Sequence, residues 1–107
     1  MRPYLLAASL VFAASSALAD DPTYTLSIKE HRFAPTELNI PAGMRVKLIV
    51  KNQDPTPEEF ESTDLDIEKV VAAQSDITVY IRPQDAGTYK FFGDFHQDTA
   101  QGVLIVK

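Results

Sequence analysis

Two short segments hold the residue types that could do chemistry. Glu58, Glu59, Phe60 and Glu61 stand in a row, and the stretch from Gly93 to Gly102 contains Asp94, His96, Asp98 and Thr99. In a strand, Glu59 and Glu61 share one face and Phe60 takes the other. With Phe60 packed inward, both carboxylates point outward together, and such a pair repels unless a cation or a base sits between them. Carboxylates with an imidazole make a nitrogen–oxygen donor set that suits Cu(II), iron, manganese or zinc and lacks the soft ligand that favours Cu(I). Other chemistries are poorly supplied. The chain has no Cys and two His, so a Ser-His-Asp arrangement would have to use His31 or His96. Neither HExxH nor a Gly-rich phosphate loop occurs. No hydrolase or transferase signature results. Plainer readings stand beside the chemical one: 58–61 as a charged edge that blocks strand-to-strand aggregation, and His96 as a solvated or loop-bonded side chain.

The elements that must position these residues read as strands. Tyr89 and Phe91 alternate with Lys90 and Phe92, and 103–107 is an apolar run of strand length. Between them lies the loop 93–102. Upstream, 24–29 alternates as a first strand, 30–35 is a bend with Phe33 turned inward, and 37–41 is a short strand ended by Pro41. In 45–52, Val46, Leu48 and Val50 face one way and Lys47 and Lys51 the other. Pro55 and Pro57 keep 52–57 a loop. A further strand is expected at 77–81. The only helical candidate is 66–73, and it holds for no more than about two turns. Tyr80, Tyr89, Phe91 and Phe95 read as core and loop anchors.

Composition narrows the class. A chain of 107 residues is one domain. Arg2, the apolar run 4–14 and Ala17-Leu18-Ala19 before Asp20 form the three-part pattern of a cleaved signal peptide. Residues 1–19 are therefore expected to be removed, leaving 20–107 as the exported domain, with no membrane insertion of the mature chain. A net charge of −5 argues against nucleic acid or anionic membrane as a partner and suits cations. Without cysteine, no disulfide braces so small a domain, so the core must hold it, helped by a bound metal if there is one.

The layout of 89–107 resembles the cupredoxin family, in which a Tyr-x-Phe strand runs into a loop that supplies Cys, His and often Met to one copper ion. The run Phe-x-Pro-x-x-Leu-x-Ile-Pro-Ala-Gly over 33–43 is similar to the family's connection from the first strand to the third. The thiolate is missing. By spacing, Gly93 stands at the Cys position and Ala100 at the Met position, so no blue-copper site can form. Where the family has its first His, this chain has Glu58 to Glu61, and Glu59-Phe60-Glu61 resembles a segment of the cysteine-poor cupredoxin-like proteins of bacterial periplasmic iron uptake.

The resemblance implies an all-β, Greek-key β-sandwich of about seven or eight strands, with the 58–61 and 93–102 segments meeting at one end. The expected metal set is then Glu59, Glu61, Asp94, His96 and Asp98, with Glu58 in reserve. His31 lies away from these loops in that topology and reads as surface. The ion would be copper(II) or iron. The protein would be a periplasmic metal-binding component of iron uptake, acting with an iron permease and a copper- or iron-binding partner. A ferroxidase role stays open, and the rival is a metal-free cupredoxin-fold docking module.

Overall fold

The computed structural model describes residues 20–107; the expected signal peptide lies outside the described residues. The strands are β1 Thr23–Lys29, β2 Arg32–Ala34, β3 Glu37–Ile40, β4 Val46–Asn52, β5 Glu58–Ser62, β6 Ile67–Val71, β7 Ser75–Ile81, β8 Gly87–Gly93 and β9 Gln101–Val106. The only helical turn among the described residues is a 3-10 turn at Asp94–His96. The described residues thus form nine strands where about seven or eight were expected, because the bend at 30–35 itself contains β2, which pairs back on β1.

The strands form two sheets, β2-β1-β4-β7 and β3-β9-β8-β5-β6. β1 runs parallel to β4, and β3 runs parallel to β9. Period-two patterning explains why these segments pair. In β4, Val46, Leu48 and Val50 are fully buried, and in β9 Leu104 and Val106 are buried. Placed face to face, the inner rows make one core. Its centre is a trio of rings. Phe33 meets Phe91 edge-on at 5.0 Å and Phe60 edge-on at 6.1 Å, and Phe60 and Phe91 lie 5.6 Å apart. Edge-on rings of this kind gain quadrupole attraction beyond area burial.

Two expectations about elements change. Residues 66–73 give no helix: Ile67–Val71 is β6, paired antiparallel with β5. Pairing with a neighbour outweighed a weak local preference. Tyr80 and Phe95 are not core residues, at 52 % and 48 % exposure. In β7, Val79 and Ile81 take the inner face, so Tyr80 must point outward, where the Arg45 guanidinium lies 4.9 Å from its ring centroid. None of the described helical residues forms a segment long and apolar enough to cross a membrane.

Candidate metal centre

β5 carries the site because its two faces do different work. Glu58, Phe60 and Ser62 are buried, whereas Glu59 and Glu61 are only half-buried on the outer face. Pairing sets Glu61 opposite Glu68 of β6 on one side and opposite Phe92 of β8 on the other. β8 ends at Gly93, and the 3-10 turn begins at Asp94 beside the start of β5. Ligand atoms of Glu59, Glu61 and Asp94 come within 4.8 Å of one another. Among the described residues, no Lys or Arg is salt-bridged to any of the three. The Glu59 carboxyl is pushed up to about 7, first by desolvation, then by a hydrogen bond with Glu61 and by repulsion from Glu68, Asp94 and Glu61. The rim of this sheet therefore gains from either a proton or a cation.

Behind that rim sits Glu58, 1 % exposed. One carboxylate oxygen accepts hydrogen bonds from the backbone N–H of Glu59 at 3.0 Å and of Phe95 at 2.9 Å. The other lies 2.5 Å from His96 Nδ1. A buried carboxylate is tolerated when its lone pairs are met in this way. The space beside it is tight. A Cβ added at Gly93 would fall 2.5 Å from Glu58 Cδ and 2.8 Å from Ala100 Cβ. Backbone bonds close the loop: Gly93 N–H donates to the Ala100 carbonyl and Ala100 N–H to the His96 carbonyl, each at 2.8 Å.

His31 belongs to this end of the molecule, which corrects its placement as a surface residue away from the loops. Glu30 and His31 form the two-residue connection of the β1–β2 hairpin, with Lys29 opposite Arg32. Both have positive φ, 53° and 57°. Such a primed turn suits the strand twist but normally asks for Asn-Gly. Here Asp54 supplies the compensation: its carboxylate accepts from Glu30 N–H at 2.7 Å and from His31 N–H at 3.0 Å. Asp54 is in turn fixed by buried Asn52, whose Oδ1 accepts the Asp54 N–H at 3.0 Å. The turn so held lays the His31 ring on that of His96.

Of the five expected ligands, Glu59, Glu61 and Asp94 are gathered by the fold. His96 stands behind them, tied to Glu58, and Asp98 is exposed on the turn and outside the three-carboxylate group. Sequence reasoning gave no role to Glu68 and held Glu58 only in reserve. The signal for Glu58 was present: it lies two residues before Phe60 and must share that buried face.

The chain belongs to the cupredoxin-like domain family, whose model matches residues 3–106. An uncharacterized protein of Rickettsia prowazekii (strain Madrid E) is 47 % identical over 81 residues, 76 % of this chain and 65 % of that protein's length. Among solved structures, the metal-binding domain of the Cu(I)-exporting P-type ATPase CopA of Streptococcus pneumoniae D39 superposes with a TM-score of 0.71 at 13 % identity, covering 79 % of this chain and 84 % of the other. Auracyanin A, a blue copper protein of Chloroflexus aurantiacus, gives 0.67 at 18 % identity over 79 % and 98 %. Amicyanin from Paracoccus versutus gives 0.62 at 19 % over 83 % of each chain. The fold is thus related to that of copper-binding proteins. The residues present do not fit a thiolate copper centre, since Gly93 offers no donor and the room for one is filled by Glu58.

Proposed function

We propose that this is an exported, periplasmic metal-binding protein that assists iron uptake, holding iron or copper(II) at Glu59, Glu61 and Asp94 and passing iron to a permease. The observation that carries the reading is the convergence of these carboxylates within 4.8 Å, none of the three being salt-bridged to a cationic side chain among the described residues. Oxygen donors favour hard cations and, for iron, the higher oxidation state. The periplasmic address rests on the signal-peptide pattern of 1–19, and the pathway rests on the resemblance of Glu59-Phe60-Glu61 to a segment of cysteine-poor cupredoxin-like proteins of iron uptake. His96 acts here through Glu58, by holding the turn that carries Asp94, and Asp98 is assigned no contact.

The test is a melting series of the exported domain with Fe(III) citrate, Fe(II) under argon, Cu(II) and Zn(II). A ligand that binds only the native state must raise the melting temperature. The rise should vanish in the double variant Glu59→Gln, Glu61→Gln. Oxygen uptake with Fe(II) above the buffer blank would extend the reading to a ferroxidase. No rise with any metal leaves the metal-free docking module, its acidic rim meeting a basic partner. One observation favours that rival: His96 Nδ1 and the buried Glu58 carboxyl satisfy each other, so that nitrogen is already engaged.

A further inference from the structure

We infer that Glu58 stands in for a metal at the inner centre of this sandwich, joining the elements that a cation would otherwise join and barring copper from the interior. The inference goes beyond the outer cluster and rests on the proposed function only where it assigns cations to the rim.

Three donors from two elements converge on one carboxylate: Glu59 N–H from β5, and Phe95 N–H and His96 Nδ1 from the turn. A single buried group thus cross-links the strand bearing Glu59 and Glu61 to the turn bearing Asp94. That is the mechanical role of a structural ion, performed by an anion that collects hydrogen bonds in place of a cation that collects lone pairs. The same carboxylate fills space. A side chain at 93 would begin 2.5 Å from Glu58 Cδ and 2.8 Å from its Oε1, and Ala100, fully buried, supplies only a methyl group opposite. His96 Nδ1 is engaged by Glu58, so the interior offers no free imidazole nitrogen on that side. Glu58 is a positioning residue for the rim and a plug for the interior.

Two measurements test this. The first is nitrogen NMR of the natural exported domain during titration with Zn(II). The expected result is movement of the Glu59, Glu61 and Asp94 signals, with the hydrogen-bonded signature of His96 Nδ1 unchanged. Zn(II) bound directly to His96 Nδ1 overturns the inference. An unchanged Nδ1 with no movement at the three carboxylates supports the plug and removes the proposed rim site, so the two failures are told apart. In this titration Glu58→Ala should weaken Zn(II) binding at the rim about tenfold or more, as loss of an outer partner does. Glu58→Gln, which keeps the acceptor oxygen for both N–H groups, should restore most of it.

The second measurement, made in an Ala100→Gly background that removes the methyl also 2.8 Å from a Cβ at 93, adds Cu(II) to Gly93→Cys and to the double variant Glu58→Ala, Gly93→Cys. The single variant should give no intense visible thiolate-to-copper band, because the carboxylate occupies the room; the double variant should give one. A strong band in the single variant, or none in a folded double variant, overturns the inference. Should the double variant fail to fold, the NMR titration still decides.

Discussion

The imidazole rings of His31 and His96 lie face to face, their centroids 3.5 Å apart and their planes 11° from parallel. They come from opposite sheets of the sandwich. One is delivered by a strained hairpin and the other by a turn held on a buried carboxylate, so contact between them reports on both supports.

The hairpin support is Asp54. We expect Asp54→Ala to cost about 1–3 kcal/mol, because it strips acceptors from two part-buried N–H groups and leaves two left-handed non-glycine residues uncompensated. Replacing Glu30-His31 by Asn-Gly in that background should recover part of the loss, since these residues accept the turn's backbone unaided. Urea denaturation of the four proteins closes the cycle. Equal losses with and without Asn-Gly would contradict the compensation argument.

The Glu59 carboxyl gives the rim a pH dependence of known sign. Its folded value, about 7, lies above its ordinary 4.5. The folded state therefore keeps a proton that the unfolded chain gives up between these values. The stabilisation from Glu59 is full below about 4.5 and is lost as pH rises through about 7. Cation binding should run the opposite way, strengthening as pH climbs through the same window. Urea midpoints at pH 5 and 8 for the natural chain and Glu59→Gln check the first statement; Zn(II) titrations at those pH values check the second. A Glu59→Gln chain with the same pH slope as the parent would refute the assignment.

Glu61 and Glu68 face each other across β5 and β6. Like charges directly opposite destabilise a sheet, and opposite ones add roughly 0.2–1 kcal/mol. Glu68→Lys should thus raise the metal-free melting temperature while weakening cation binding at Glu59, Glu61 and Asp94, because an ammonium group then answers the carboxylates. If stability and affinity both rise, Glu68 is not part of the acidic rim's repulsion.

His96 and Glu61 should separate architecture from binding. His96→Ala leaves a buried carboxylate without one of its three partners and should cost about 1–3 kcal/mol in the absence of metal. Glu61→Gln should leave metal-free stability unchanged or slightly higher, yet reduce the melting increment that Zn(II) produces. Comparing increments rather than absolute melting temperatures keeps the two effects apart.

Much of this was readable from residue order. Alternation in β4 fixed Val46, Leu48 and Val50 as core, and Phe60 set the outward direction of Glu59 and Glu61. What escaped depended on partners distant in the chain. His31 reads as surface until Asp54, 23 positions on, is seen to accept its N–H and stabilise the primed turn. The strand at Ile67–Val71 resembles a helical fragment until β5 supplies its hydrogen-bond partner. Glu58 was a different case: the period of two already put it inside, but a buried carboxylate is improbable until its donors are known.

The carboxylate clasp between β5 and the 3-10 turn also bears on how the domain would behave in a cell. Many small metal-dependent domains stay unfolded until their ion arrives. Here Glu58 joins β5 to the turn through hydrogen bonds, so the proposed rim site would not depend on an ion to assemble it. On the proposed function, loading and unloading would then be events at the surface, paced by ligand exchange and free of any need to refold, as suits a carrier that must surrender what it holds.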